Sequence, residues 1–196
     1  MKLSVVIPFY NEENMIQKMY DELVKEINQI TKAEFEIIFI NDGSKDRTFE
    51  RMLAIAAGDS RVKYISFSRN FGKEAGTIAG LEYATGEAVI LMDGDLQHPP
   101  AMLPQMIEAY EQGYDVVSAR RTRTGEKPHR TFLAKHFYKL ANKMMDIELM
   151  DGVSEFRLFS RKVVNAIISM QEYNRFSKGI FAWIGFNEKV IEYENQ

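Results

Sequence analysis

Short apolar, β-branched runs alternate along the first 119 residues with stretches whose apolar positions recur every three to four residues. Residues 3–8 read as a buried strand, and Asn11 beyond it is placed to cap a helix whose apolar face is Met15, Ile16, Met19, Tyr20, Leu23, Val24 and Ile27. Further strands are predicted over 35–40, 62–67, 88–92 and 115–119. Between them, Asp46 can cap a helix carrying Phe49, Met52, Leu53 and Ala56; another helix is predicted over 72–84, and Leu103, Met106, Ile107 and Tyr110 mark a fourth. Parallel strands need crossover connections, and this alternation supplies them. The pattern therefore predicts an α/β fold, a mostly parallel central sheet with helices on both faces.

After residue 119 the rhythm changes. Residues 120–130, RRTRTGEKPHR, carry five Arg or Lys against one Glu, with Gly and Pro as breakers, and read as a cationic loop. A helical pattern follows, with Phe132, Leu133, His136, Phe137, Leu140, Met144 and Met145 on one face. That face suits a core, or, beside a cationic loop, an anionic membrane surface. A strand over 155–159, helices over 161–170 and 176–183 and a last strand over 189–193 complete the pattern, with no internal repeat or linker. One domain over residues 1–196 is expected.

Composition narrows the chemistry. The 25 Lys and Arg against 28 Asp and Glu give a net charge of −3, so a nucleic-acid partner held by a global positive field is not expected. The absence of cysteine excludes disulfides, cysteine-ligated zinc, iron–sulfur clusters and thiol nucleophiles, and it suits a reducing compartment. No apolar run approaches the roughly 18 to 20 residues of a membrane span, and the N-terminal segment turns polar too soon for a secretory signal.

In an open parallel sheet, ligands bind at the carboxyl ends of the strands, and the polar clusters fall there: PFYNEEN, NDGSKDRT, SRNFGKEAG, DGDLQHPP and ARRTR. Taken singly, each has a plain reading. NDGSKDRT could be a turn with Asp46 as helix cap, PFYNEEN a helix start with Glu12 and Glu13 at the positive end of the dipole, and glycines 72, 76 and 80 a small face against the sheet. GxGxxG and GxxxxGK[ST] are both missing, which argues against nicotinamide-dinucleotide and P-loop sites. The sharpest signal is Asp93-Gly94-Asp95. Two carboxylates flanking a glycine after an apolar strand can aim oxygens at one hard cation, or can simply form a turn. Oxygen ligands select Mg²⁺ or Mn²⁺ over zinc, and His98, His129 and His136 lack zinc-site spacing and read as structural or surface residues.

Together, PFYNEEN, IFINDGSKDRT, SRNFGKEAGTIAGLEYATGE and LMDGDLQHPP resemble the successive signatures of the family-2 glycosyltransferases of GT-A (Rossmann-like) fold. DGDLQHPP, SARRTR and SEFRLFSRKVV are similar to the branch containing dolichol-phosphate mannose synthase and the bacterial polyprenyl-phosphate glucosyltransferases. The resemblance covers nearly the whole chain and implies a site. Pro8, Tyr10, Glu12 and Asp42 would hold the nucleobase and ribose, with Lys73 near the diphosphate or ribose and Gly94 beside it. Asp93, Asp95 and Gln97 would bind Mg²⁺ or Mn²⁺, with Asp93 also available to the ribose. Arg120, Arg123 and Arg130 would meet an acceptor phosphate, and Glu155 and Arg157 would join Asp95 as catalytic residues facing the transferred sugar. Many relatives have Asp where this chain has Glu155, one methylene longer, and they continue past the final strand into a basic segment and often membrane helices.

The function this implies is metal-dependent, inverting transfer of a hexose from a nucleotide diphosphate sugar, UDP favoured and GDP admissible, to a polyprenyl phosphate. The site of action would be the cytoplasmic face of the cell membrane, by peripheral contact, with the chain either the catalytic part of a longer protein or a shorter member. The competing readings are a glycosyltransferase acting on a saccharide hydroxyl, a nucleotidyltransferase releasing pyrophosphate, and a non-catalytic nucleotide-sugar sensor.

Overall fold

The alternation is realised in a seven-stranded sheet in the computed structural model, which describes residues 1–122, 153–170 and 185–193. The strands are β1 (Lys2–Phe9), β2 (Glu34–Asn41), β3 (Val62–Ser66), β4 (Ala88–Leu91), β5 (Val116–Arg121), β6 (Val153–Ser160) and β7 (Glu188–Tyr193). Helices α1 (Ile16–Ile27), α2 (Thr48–Gly58), α3 (Lys73–Tyr83), α4 (Leu103–Glu111) and α5 (Arg161–Ser169) connect or flank them, and a 3₁₀ turn (Pro100–Met102) leads into α4. The helices expected over 132–145 and 176–183 lie outside the described residues.

The strand order is β3-β2-β1-β4-β6-β5-β7. β1 pairs in parallel with β2 and β4, β2 with β3, and β5 with β7, whereas β6 runs antiparallel between β4 and β5. Being antiparallel to both neighbours, β6 leaves β4 and β5 pointing the same way. The carboxyl ends of all the other strands therefore share one edge, where such sheets bind ligands.

Both faces of the central strands β1, β2 and β4 are largely buried, as their near-continuous apolar runs require. On one face Leu3, Val5, Ile7 and Phe9 of β1 pack with Ile16, Met19 and Leu23 of α1 and Met106 and Ile107 of α4; on the other Val6, Ile38 and Val89 meet Leu81 of α3 and Val163, Val164 and Ile167 of α5. The small face of α3 allows that approach. A β-carbon on Gly80 would lie 2.2 Å from Val6 Cγ1, and one on Gly76 3.5 Å from Ile40 Cγ2. Gly72 serves differently: its φ of 94° turns the chain into α3, with open space where a side chain would stand.

At the opposite, amino-end edge, Glu36 of β2 is 3% exposed and gathers four hydrogen bonds. It accepts from Ser4 Oγ (2.6 Å), Thr85 N (2.6 Å), Thr85 Oγ1 (2.8 Å) and Lys63 Nζ (2.6 Å), and Lys2 Nζ lies 3.3 Å away. One carboxylate thus pins β1, β3 and the entry to β4 onto β2. No helix among the described residues is long and apolar enough to cross a membrane.

Asn11 does not cap α1. The helix starts at Ile16 after Met15, with no side-chain cap, and Asn11 adopts φ 55°. Its Oδ1 accepts from Lys45 N (2.8 Å), because the neighbouring loop competes successfully for that side chain.

Candidate active site

Five cross-loop hydrogen bonds knit the loop after β1 to the loop after β2. Asn11 N donates to Ser44 Oγ (3.0 Å), Glu12 N to Thr48 Oγ1 (2.8 Å), Glu13 N to Asp46 Oδ2 (3.1 Å), Lys45 N to Asn11 Oδ1 (2.8 Å) and Arg47 N to Glu13 Oε2 (3.0 Å). Asp46 is not the N-cap of α2, which is Arg47 with no side-chain cap bond, but its Oδ1 accepts from Thr48 N (3.0 Å) at the first helical residue, so it serves that amide from one position earlier and ties the loops together. Polar turn residues here satisfy backbone donors that no strand or helix can reach.

These loops and the ends of β3 and β4 enclose a cleft of about 410 Å³ lined by Pro8, Phe9, Tyr10, Glu12, Asp42, Asn70, Gly72, Lys73, Asp93, Gly94 and Asp95. The structure thus brings Pro8, Tyr10, Glu12, Asp42, Lys73, Asp93, Gly94 and Asp95, read from the sequence, around one space. The sequence does not mark Phe9 or Asn70 as site residues, and it reads Gly72 only as part of a small helix face. Phe9 is an apolar strand residue, and Asn70 has no pattern to mark it; Gly72 beside Lys73 carried the one available signal.

Asp42 is 3% exposed, and its oxygens accept from Phe71 N (2.7 Å) and Gly72 N (3.0 Å), which fixes the turn into α3. Each oxygen keeps a second lone pair for a ligand donor. Gly43 makes this closeness possible. Its φ is +65°, and a β-carbon there would fall 2.2 Å from the backbone carbonyl carbon of Arg69. Gly43→Ala is therefore expected to destabilise the fold by about 2–4 kcal/mol and to loosen the Asp42 side of the cleft, measurable by urea unfolding.

The DGDLQH segment follows β4. Gly94 lies flat on Phe9, whose Cε1 would be 2.3 Å from a β-carbon at that position, and Asp95 Oδ1 accepts from Gln97 N (3.0 Å). Leu96 has φ 61° and packs against the core, while His98, 4% exposed, stacks on Phe156 (centroids 5.3 Å apart, planes at 16°). Burial pushes the His98 imidazole below its ordinary pKa, against the opposing pull of Asp93. The expectation that His98 is structural holds for its burial. Burial of Glu12, with the negative charges of Asp95 and Asp46 nearby, raises its carboxyl pKa.

The β4–β6 ladder ends with Leu91 opposite Arg157, so Asp93 and Glu155 come just beyond its end. Lys73, at the first position of α3, bridges them, with Nζ 2.5 Å from Asp93 Oδ1 and 2.6 Å from Glu155 Oε2. Burial alone would lower the Lys73 pKa; its hydrogen bonds to the two carboxylates outweigh that and raise it. A β-bulge between Ser118 and Arg120 of β5 breaks the ladder where Glu155 sits, and Ser154 Oγ donates to Ala119 O (2.9 Å) beside it. Bulges next to clefts re-aim side chains in this way.

Other expected residues fall elsewhere. Arg157 is 5% exposed and does not line the cleft; it lies 3.7 Å from Glu188 of β7, and burial lowers its pKa, opposed by Glu188 and Glu155. Arg120, the penultimate residue of β5, is ion-paired with Glu192, its Nε 3.1 Å from Oε1. Gln97 is exposed, outside the cleft lining. Arg123 and Arg130 lie outside the described residues.

Among the described residues, no group of three or more His, Asp or Glu side chains could hold a metal ion unaided. Asp93 and Asp95 nevertheless fit a hard divalent cation, because Mg²⁺-like ions are commonly held by one or two carboxylates while substrate phosphates and water complete the shell.

Residues 4–168 match the sequence model of the family described as glycosyl transferase family 2. The Bacillus subtilis protein CsbB is 51% identical over 193 residues, covering 98% of this chain and 58% of CsbB. The Escherichia coli prophage bactoprenol glucosyl transferase homolog is 44% identical over 194 residues, covering 98% of this chain and 63% of its own length. The chain thus spans about three fifths of these curated relatives. Among solved structures, the mannosyltransferase PcManGT of Pyrobaculum calidifontis, in complex with GDP-Man and Mn²⁺, superposes with a TM-score of 0.67 at 17% identity, over 97% of this chain and 54% of that one. Glucosyl-3-phosphoglycerate synthase of Mycobacterium tuberculosis, with Mn²⁺, UDP-glucose and phosphoglyceric acid, gives 0.60 at 21% identity, over 99% and 70%.

Proposed function

The chain belongs to glycosyl transferase family 2 and has the GT-A fold, and from that premise we propose that it moves a hexose, with inversion, from a nucleotide diphosphate sugar to a polyprenyl phosphate. The observation that carries this reading is the cleft at the carboxyl edge of the sheet, where Asp42, Glu12 and Tyr10 line one part and Lys73, Asp93 and Asp95 another. The acceptor class is supported by the 44% identity to a relative named for bactoprenol glucosyl transfer. Neighbours of the same fold were solved with UDP-glucose and with GDP-Man, and uridine is the donor base we favour.

The reaction forms a bond from an acceptor phosphate oxygen to the anomeric carbon as the bond from that carbon to the nucleoside diphosphate breaks, the diphosphate leaving with the electron pair. Asp93 and Asp95 would hold a divalent cation, Mg²⁺ or Mn²⁺, able to neutralise charge on the departing diphosphate, and Gln97, which lies outside the cleft lining, would have to turn in to join them. Tyr10, Pro8, Glu12 and Asp42 orient the nucleoside, Asp42 through the lone pairs left after its two backbone bonds. A phosphate monoester with a second pKa near about 6 is largely ionised at neutral pH, so the nucleophile needs no general base. Glu155 is suited to that economy. Its Oε2 is engaged by the Lys73 ammonium at 2.6 Å, which holds the side chain in place to orient the sugar, with Arg157 behind it. Arg120, with Arg123 and Arg130, would grip the acceptor phosphate, for which the planar guanidinium is matched. Arg120 must then exchange Glu192 for phosphate. A lipid acceptor puts the reaction at a membrane surface, for which we propose peripheral contact at the cytoplasmic face.

The test is incubation with Mn²⁺ and UDP- or GDP-hexoses, with and without undecaprenyl phosphate, with product identification. Lipid-linked hexose of inverted configuration plus nucleoside diphosphate is expected; release of pyrophosphate, or donor binding without turnover, would overturn the reading. Glu155→Gln is expected to slow transfer less than 10-fold, against the about 10²–10⁴ that loss of a general base costs, and Arg120→Ala to raise the KM for the lipid. A large rate loss in Glu155→Gln with its acidic pH limb abolished would indicate a hydroxyl acceptor instead.

A further inference from the structure

We propose that His98 is the positioning residue of the cation-binding loop: by accepting the Asp93 N–H it fixes the peptide from which Asp93 and Asp95 project, so that both carboxylates meet one ion. The inference rests on the assignment of these two carboxylates to a divalent cation. Met92 N still donates to Val6 O at 3.1 Å, and Asp93 N is the next amide along the chain. It donates instead to His98 Nδ1, at 2.9 Å, across a five-residue turn. A backbone N–H can only donate, so Nδ1 carries no proton and the imidazole is the neutral tautomer protonated on Nε2. Its ring cannot swing away, being buried and stacked on Phe156 of β6, the residue after Glu155.

The rest of the turn is fastened from independent directions. Gly94 is pressed on Phe9, Asp95 Oδ1 accepts from Gln97 N, and Leu96 holds a left-handed conformation, unfavourable for a bulky side chain, while its side chain packs on the core. Backbone held in such a region persists where the surroundings over-determine it, and it clusters at ligand clamps. His98 closes this turn at the residue carrying the first carboxylate. Groups that orient metal ligands from behind typically govern metal affinity by about 10- to 100-fold.

The experiment compares His98→Phe, which keeps a ring on Phe156 but has no acceptor, with His98→Asn, whose Oδ1 can stand near the place of Nδ1. Mn²⁺ affinity in the presence of UDP is read by calorimetry, amide exchange at Asp93 by NMR, and folding by thermal denaturation. H98F is expected to raise the Mn²⁺ Kd by about 10-fold or more and to speed exchange at Asp93, with UDP affinity in chelator unchanged, and H98N to restore both towards wild type. Should H98F fail to fold, His98→Leu carries the same comparison. A folded H98F or H98L with wild-type Mn²⁺ affinity overturns the positioning role alone. Wild-type protein whose UDP affinity is the same with Mn²⁺ and with chelator overturns the cation assignment and this inference with it.

Discussion

Asp95→Asn is expected to fold normally and to lower glycosyl transfer by about 10²- to 10³-fold, the cost of removing one group that stabilises developing charge in a preorganised site. Folding survives because Asp95 is only partly buried on a loop and its hydrogen bond from Gln97 N can be accepted equally by the Asn carbonyl oxygen. What disappears is the charge of a proposed cation ligand, which the neighbouring carboxyl reports. The Glu12 pKa is raised first by burial and then by the charges of Asp95 and Asp46, so neutralising Asp95 lowers it towards the ordinary carboxylate value. Transfer rates at saturating and limiting Mn²⁺, together with an NMR titration of Glu12, check both halves. Undiminished transfer at limiting Mn²⁺ would remove Asp95 from the reaction.

The second large effect is on stability. Glu36→Ala is expected to cost about 2–4 kcal/mol at pH 7, because it strands the buried Ser4 hydroxyl and the Thr85 amide and leaves two lysines without their carboxylate. Burial pushes the Glu36 pKa up, but the hydrogen bonds from Lys63, Ser4 and Thr85 more than reverse this and hold it well below the ordinary carboxylate range. A carboxyl whose folded pKa is depressed stabilises fully above its unfolded pKa and loses that contribution as pH falls through the ordinary range towards the folded value. The gap between wild type and Glu36→Ala in urea unfolding is therefore expected to be wide at pH 7 and to shrink on acidification. Asp59, whose pKa is held at about 2 by Arg61, titrates identically in both proteins and cancels. A gap that did not change with pH would mean that packing, not the charge, carries the effect.

Glu36 also shows where local pattern stops informing. As the second residue of an apolar strand that follows Phe35, it reads as an ordinary solvent-facing charge, and only the convergence of Ser4, Thr85 and Lys63 from three other segments makes it a buried anchor. Asn11 fails in the opposite sense. Its residue type favours both a helix cap and a left-handed turn, and the loop from Ser44 to Lys45 decided for the turn by taking both of its polar partners. His98 could not be distinguished from a surface histidine, since its partner is a backbone amide that the sequence does not advertise.

The α/β alternation, the edge of the sheet that bears the cleft and most of the cleft itself are legible along the chain: Pro8, Tyr10, Glu12, Asp42, Lys73 and the DGD residues all line it. Strand and helix follow from the local spacing of apolar residues, and the carboxyl edge from the parallel connectivity that alternation enforces, so both are written in short windows of the chain. Three features emerge only once the chain has folded: β6 runs antiparallel between β4 and β5, Glu155 meets Asp93 across Lys73, and Arg157 turns inward to Glu188. These depend on pairings between segments far apart in the chain, where the burial of a charge is tolerable only because an opposite charge from another strand arrives beside it, and no local pattern records that arrival.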